Sequence, residues 1–123
     1  MYPQNRNRRL RSKESLRNLV RESAIHPHDF IAPVFVIEGS NIKEEISSMP
    51  GYYRFSLDNL KKETNELWSI GIQAILLFVK VPDSLKDTLG SEAINEDGLM
   101  QKAIKEIKNS VPEITLMTDI ALD

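Results

Sequence analysis

Apolar residues are distributed along the 123-residue chain in two alternating patterns. Two nearly continuous apolar runs, F-I-A-P-V-F-V-I at 30–37 and I-Q-A-I-L-L-F-V at 72–79, are rich in β-branched and aromatic residues. Such runs predict strands buried on both faces, as in parallel sheets. A third run, Ile114 to Ile120, follows Pro112 and predicts a third strand. Between the runs, apolar positions recur at helical spacing. Leu57, Leu60, Leu67 and Trp68 share one face of a helix that Ser56 would cap and Gly71 would end. Leu99, Met100, Ala103, Ile104 and Ile107 line a second helix, with Lys102, Lys105 and Lys108 on its other side. Asn95 is the expected N-cap, and Glu96 and Asp97 would complement the dipole in the first turn.

Upstream of the first strand, Leu10 to Glu22 reads as a short amphipathic helix with Ser12 as N-cap and Leu16, Leu19 and Val20 on its apolar stripe. A helix with so narrow a stripe is barely stable alone and is expected to dock on something. His26-Pro27-His28-Asp29 breaks it, because proline disfavours helix in the residue before it. The two histidines lack an i+4 partner, which favours a turn over a metal site.

The resulting order, β-α-β-α-β, predicts a parallel sheet with right-handed crossovers. The links are lopsided. Those from helix to strand take a few residues, whereas those from strand to helix run from about 37 to 55 and from about 80 to 94. In α/β proteins the loops after the C-terminal ends of strands build the active site. Two carboxylates, Asp119 and Asp123 in M-T-D-I-A-L-D, emerge at that edge and share parity in an extended chain. Such a pair can hold a cation, orient an amine, or divide acid and base roles. On residues alone a turn cap at Asp119 and a solvated end at Asp123 remain open. Lys80 and the pair Lys86-Asp87 lie in the second long loop, where Asp83 and Asp87 would keep a lysine charged. A solvated ion pair is expected there rather than a Schiff-base amine. Met49-Pro50-Gly51 has turn chemistry.

Hydrophobic residues at 41% and charged residues at 28% are ordinary for a globular domain. The chain has no cysteine, which excludes disulfides and thiolate metal sites. Its longest strongly apolar run, 74–79, is far short of the ~20 residues of a membrane span. The basic N-terminus lacks the apolar segment of a secretory signal, so a cytoplasmic location without membrane contact is expected. Charge is uneven: residues 1–25 hold seven basic and two acidic side chains, a net +5 that leaves −7 for the remainder of a chain of net −2. No aromatics interleave with the arginines and no nucleic-acid motif is present, so nucleic acid is the less favoured partner of this segment.

Several blocks at consistent spacing resemble one family. They are R-R-L-R at 8–11, L-R-N-L-V-R-E at 16–22, D-F-I-A-P-V-F-V at 29–36, I-S-S-M-P-G at 46–51 with Arg54, and G-I-Q-A-I-L-L-F at 71–78. K-D-T-L-G-S-E-A at 86–93, D-G-L-M-Q-K-A-I at 97–104 and T-D-I-A-L-D at 118–123 complete the set. Together they resemble the N-terminal part of the porphobilinogen synthases, also called δ-aminolevulinic acid dehydratases. The resemblance implies a (β/α)₈ TIM barrel and an N-terminal arm that embraces another subunit, commonly in a homo-octamer. It implies condensation of two 5-aminolevulinate molecules to porphobilinogen with loss of two waters, in haem biosynthesis. Asp119 matches the family aspartate at the end of the third strand, beside the amino end of one substrate. Ala121 and Asp123 stand where zinc-dependent members have cysteines. Zinc is therefore not expected, magnesium is the family's alternative, and Asp123 is the candidate metal ligand.

A whole barrel needs eight strands and ~250 residues. The expectation is then an incomplete barrel: an oligomerisation arm at 1–28 and a partial TIM-barrel domain at 29–123 with three parallel strands and two helices. The family's Schiff-base lysines come from later strands, and neither Lys80 nor Lys86 matches them, so the chain alone is expected to be inactive. The alternative from another class is a non-catalytic fragment or association module that binds other subunits. A small flavodoxin-like domain is disfavoured, since that fold normally uses five strands.

Overall fold

The computed structural model describes Met1 and residues 3–119. Its centre is a five-stranded sheet formed by β1 (Ile31–Ile37), β2 (Lys43–Glu45), β3 (Tyr53–Phe55), β4 (Ala74–Lys80) and β5 (Thr115–Thr118). The spatial order is β2-β3-β1-β4-β5. The three long runs become β1, β4 and β5, paired in parallel, with α2 (Leu57–Ser69) and α3 (Leu99–Ser110) as the crossovers. The expected count of three strands was too low. The stretch after β1 supplies two more, β3 parallel to β1 and β2 antiparallel to β3. Each has three residues, too few for a periodic signal, and Lys43-Glu44-Glu45 contains no apolar residue.

Burial of one face holds the layers together. Val34 and Val36 of β1, Ile75 and Leu77 of β4, and Phe55 of β3 are buried against Leu60 of α2 and Leu99, Ala103 and Ile107 of α3. The opposite face, with Pro33, Phe35, Leu76 and Phe78, is only half-buried. Burial on both faces, expected from the unbroken apolar runs, is therefore met on one side alone among the described residues.

Chain ends of the helices follow local chemistry, with two departures. Helix α2 stops in a Schellman motif: the Ile72 N–H donates to the Leu67 carbonyl and the Gly71 N–H to that of Trp68, both at 3.0 Å. Gly71 sits at φ +92°, and a Cβ there would lie 3.0 Å from Cβ of Pro27, so the His26–Asp29 turn packs on this corner. Ser56 is the N-cap of α2, but its hydroxyl serves the preceding loop. It accepts the Ile42 N–H at 2.8 Å and donates to Asp58 at 2.5 Å, while the Asp58 carboxylate accepts the Asn41 N–H at 2.9 Å. Asn95 does not cap α3. The helix begins four residues later with Gly98 as N-cap, because Asn95 turns back and accepts the Asp97 N–H at 3.1 Å. Glu96 and Asp97 thus precede the helix.

The N-terminal segment is less helical than expected. It forms a 3₁₀ turn, Arg9–Arg11, and a six-residue helix α1 (Glu14–Leu19). Ser12 is not an N-cap: its hydroxyl donates back to the Arg9 carbonyl at 2.7 Å and closes the turn. Nothing in α1 is buried, and Leu10, Leu19 and Ile25 are exposed.

Three substitutions test this architecture by urea unfolding. Leu77→Ala should cost roughly 2–5 kcal/mol and Leu76→Ala, one residue away on the open face, much less. Gly71→Ala should cost about 1 kcal/mol or more through its positive φ and the Pro27 contact.

Candidate active site

Strand register assembles one row of side chains across the open face. Glu44 of β2 lies opposite Arg54 of β3, Arg54 opposite Phe35 of β1, and Phe35 opposite Phe78 of β4. The last register pair on the far side is Leu77 with Thr118, so Asp119, the next residue, continues the row beside Phe78. Residues directly opposite each other project to the same face. The contacts agree with the register: Arg54 Nη1 donates to Glu44 Oε1 at 2.8 Å, and the Phe35 and Phe78 rings stack with centroids 5.2 Å apart.

A cavity of about 700 Å³ opens on this row at the C-terminal ends of β1, β4 and β5. Phe35 and Phe78 form its apolar wall, Arg54, Lys80 and Asp119 its polar wall, and residues of the 81–93 segment with Leu99, Met100 and Ile104 its outer rim. The long strand-to-helix link after β4 therefore borders the cavity, as the lopsided connections predicted. Asp119 itself is exposed and reaches the cavity from the end of β5. Asp123, its expected companion, lies outside the described residues, as does Ala121.

The rim carries the expected solvated ion pair. Lys86 pairs with Asp83, Nζ to Oδ1 3.7 Å, rather than with its neighbour Asp87. Asp87 is turned to the backbone and accepts the N–H groups of Leu89 and Ser91, both at 3.0 Å. The Ser91 side chain, then backbone N–H groups of that turn, hold the Asp87 carboxyl below its ordinary value of 3.8. This carboxylate acts as the anchor of the rim. Lys80, at the end of β4, also lines the cavity.

No group of three or more potential metal ligands occurs among the described residues. Asp119 offers a carboxylate oxygen at this edge, and the sequence contains no cysteine. His26 and His28 stack on each other, rings 5.1 Å apart, in the expected turn, and neither lines the cavity.

Glu44 and the aromatic pair were missed as site residues. Arg54 was singled out only through the family-like block that contains it. The two phenylalanines each stand two positions before the end of their strand, Phe35 before Ile37 and Phe78 before Lys80, and that equivalence was available as a signal. The Glu44–Arg54 pair was not, because it requires the register of two strands invisible in the pattern.

Asp87 gives a pH prediction. Its folded-state pKa is lowered, so the order it confers is fully present above the unfolded value near 3.8 and is lost as pH falls through the lower folded value. The amide resonances of Leu89 and Ser91 should titrate with a midpoint below 3.8, and Asp87→Asn should remove that titration.

Comparison with known proteins is consistent across sequence and structure. A profile of the delta-aminolevulinic acid dehydratase family matches residues 4–123. The chain is 48% identical over 118 residues to the delta-aminolevulinic acid dehydratase of Chlamydia pneumoniae, covering 96% of this chain and 36% of that protein. It is 44% identical over 118 residues to that of Bacillus subtilis, with the same coverage of 96% and 36%. A crystal structure of the enzyme from Toxoplasma gondii, in complex with the reaction product porphobilinogen, superposes with a TM-score of 0.89 at 41% identity. The match covers 96% of this chain and 33% of that one. The chain spans about a third of the length of the curated relatives it matches.

Proposed function

The chain belongs to the delta-aminolevulinic acid dehydratase family, and from that premise we propose that residues 29–119 form one wall of a porphobilinogen synthase active site. In this reading β1, β4 and β5 are the first three strands of a (β/α)₈ barrel, and the half-buried face with Phe35 and Phe78 is the part that lines its lumen. The reaction is the condensation of two 5-aminolevulinate molecules to porphobilinogen with release of two waters. The observation that carries the reading is the position of Asp119 in the cavity at the end of β5, within a chain that superposes on a product complex.

Asp119 is the proposed catalytic residue. A carboxylate at a strand end can orient the substrate's amino group and take a proton from it, while Phe35 and Phe78 exclude water from the carbon skeleton. The amines that form Schiff bases would come from outside residues 1–123, because Lys80 and Lys86 do not match them. A magnesium-type cation fits the carboxylates Asp119 and Asp123, and zinc does not fit a chain without cysteine. Such a cation would supply charge neutralisation near the substrates.

Residues 1–28 are the proposed arm. Exposed Leu10, Leu19 and Ile25 beside a strongly basic surface suit docking on another subunit, as in a homo-octamer. A cytoplasmic location belongs to the same reading.

The test is complementation. Residues 1–123 alone, given 5-aminolevulinate and assayed with an aldehyde-type pyrrole reagent, should form no porphobilinogen. Fused to the remaining two-thirds of the Bacillus subtilis relative they should form it, and Asp119→Asn in the fusion should lower kcat at least ~10²-fold. Product from residues 1–123 alone, or an undiminished rate in the variant, would overturn the reading. Specific incorporation into a relative's assembly without any activity would favour the association module.

A further inference from the structure

We propose that Lys108 is a positioning residue: from the far end of β5 it sets how far that strand runs along β4, and with it the place of Asp119. By spacing alone Lys108 belongs with Lys102 and Lys105, opposite the apolar face of α3. Its side chain turns instead into the link between α3 and β5. The Lys108 Nζ donates to the Ile114 carbonyl at 2.5 Å and to the Pro112 carbonyl at 3.3 Å. Among the described residues no other side chain bonds to the backbone of 110–115, and the buried Ser110 hydroxyl of the same turn has no partner. The ammonium also lies at the last turn of α3, where the helix dipole favours a cation.

By itself β5 holds its register weakly. It pairs with β4 only from Ala74 with Thr115 to Leu77 with Thr118, about half the span that joins β1 to β4. A slip by one residue is excluded, because it would turn the fully buried Ile114 out of the core. A slip by two keeps every side chain on its own side of the sheet: Ile114 would take the place of Leu116, and Leu116 that of Thr118. The same slip carries Asp119 about 7 Å along the strand direction, out of the row that it shares with Phe78. What opposes it is the short link. Only residues 111–114 join α3 to β5, and the backbone bond that closes the link, from the Ile114 N–H to the Val111 carbonyl, is 3.2 Å long. Lys108 binds one carbonyl inside the link and one at the residue just before β5, so the strand cannot advance without breaking both. A charged donor makes these bonds stronger than neutral ones.

The control of register stands on geometry alone, whereas its effect on catalysis rests on the role proposed above for Asp119. Register is read by NMR on the 123-residue chain, through the coupling across the 2.9 Å hydrogen bond from the Thr115 N–H to the Gln73 carbonyl and through the Asp119 amide signal. Lys108→Met, which keeps the length and removes the donors, should abolish that coupling and displace or broaden the Asp119 signal. The signals of β1 and of the stacked Phe35 and Phe78 rings should stay in place. Lys108→Arg should restore most of both, and Lys105→Met, one turn earlier on α3, should change neither. Unaltered coupling in Lys108→Met, an equal effect of Lys105→Met, or collapse of the whole sheet would overturn the proposal. In the fusion, Lys108→Met should lower kcat about tenfold through the misplaced carboxylate, with KM changed less than about twofold. Added to Asp119→Asn it should lower kcat less than about twofold further, because both changes act through one carboxylate. Losses that multiply would mean a general effect on stability and would reject this role. Product formation with an unchanged kcat would also reject it and leave the proposed function standing. A register response in the chain, with a fusion that makes no product, would do the reverse.

Discussion

Seven consecutive residue pairs lock β1 to β4 in parallel, from Ile31 with Ala74 to Ile37 with Lys80, and every feature of the cavity depends on that alignment. A slip by one residue would exchange the faces of a strand, placing Phe35 against the helices and Val36 in the cavity. What forbids the slip is the apolar stripe of α2 and α3, which accepts Val34, Val36, Ile75 and Leu77 on one side only. Burial on the helical side therefore determines the composition of the open side, and a residue such as Leu77 shapes the site without touching it.

The open face shows how a parallel sheet can hold polar chemistry without weakening its core. Glu44 and Arg54 sit opposite each other across an antiparallel pair, where opposite charges favour the register. The aromatic stack then separates this pair from Asp119, so Arg54 and Asp119 line the same cavity on opposite sides of the two rings. The rim beyond β4 is held by local bonds to Asp87 rather than by packing, which fits a segment whose Leu89 and Ile94 are exposed.

Much of this was legible in the pattern of residues. The three long strands, both crossover helices, the Gly71 stop, the Met49–Gly51 turn and the strand edge on which the cavity opens all follow from burial periodicity and turn chemistry. Gly51 does take φ +83°, with the Tyr52 N–H bonded to the Met49 carbonyl at 3.0 Å. What escaped was set by partners distant in sequence. The strands β2 and β3 exist because β1 offers an edge, and no local signal announces that. Asn95 and Ser12 have the right chemistry for N-caps, yet each closes an adjacent turn instead, since Asn and Ser side chains bond readily to nearby backbone. Arg54 could be noticed as part of a block, but its partner and its neighbours in the row belong to tertiary structure.

The two margins of the sheet differ in a way that bears on how it meets other chains. Along β2 the outermost strand reads Lys43-Glu44-Glu45, all exposed, with the Lys43 ammonium 4.5 Å above the Tyr53 ring. A margin so dense in charge repels a further strand, a known safeguard against unwanted pairing. Along β5 the sequence Thr115-Leu116-Met117-Thr118 is uncharged and β-forming. Growth of the sheet is thereby polarised: a newcomer strand, from whichever chain it came, would find its template beside β5 and a deterrent beside β2.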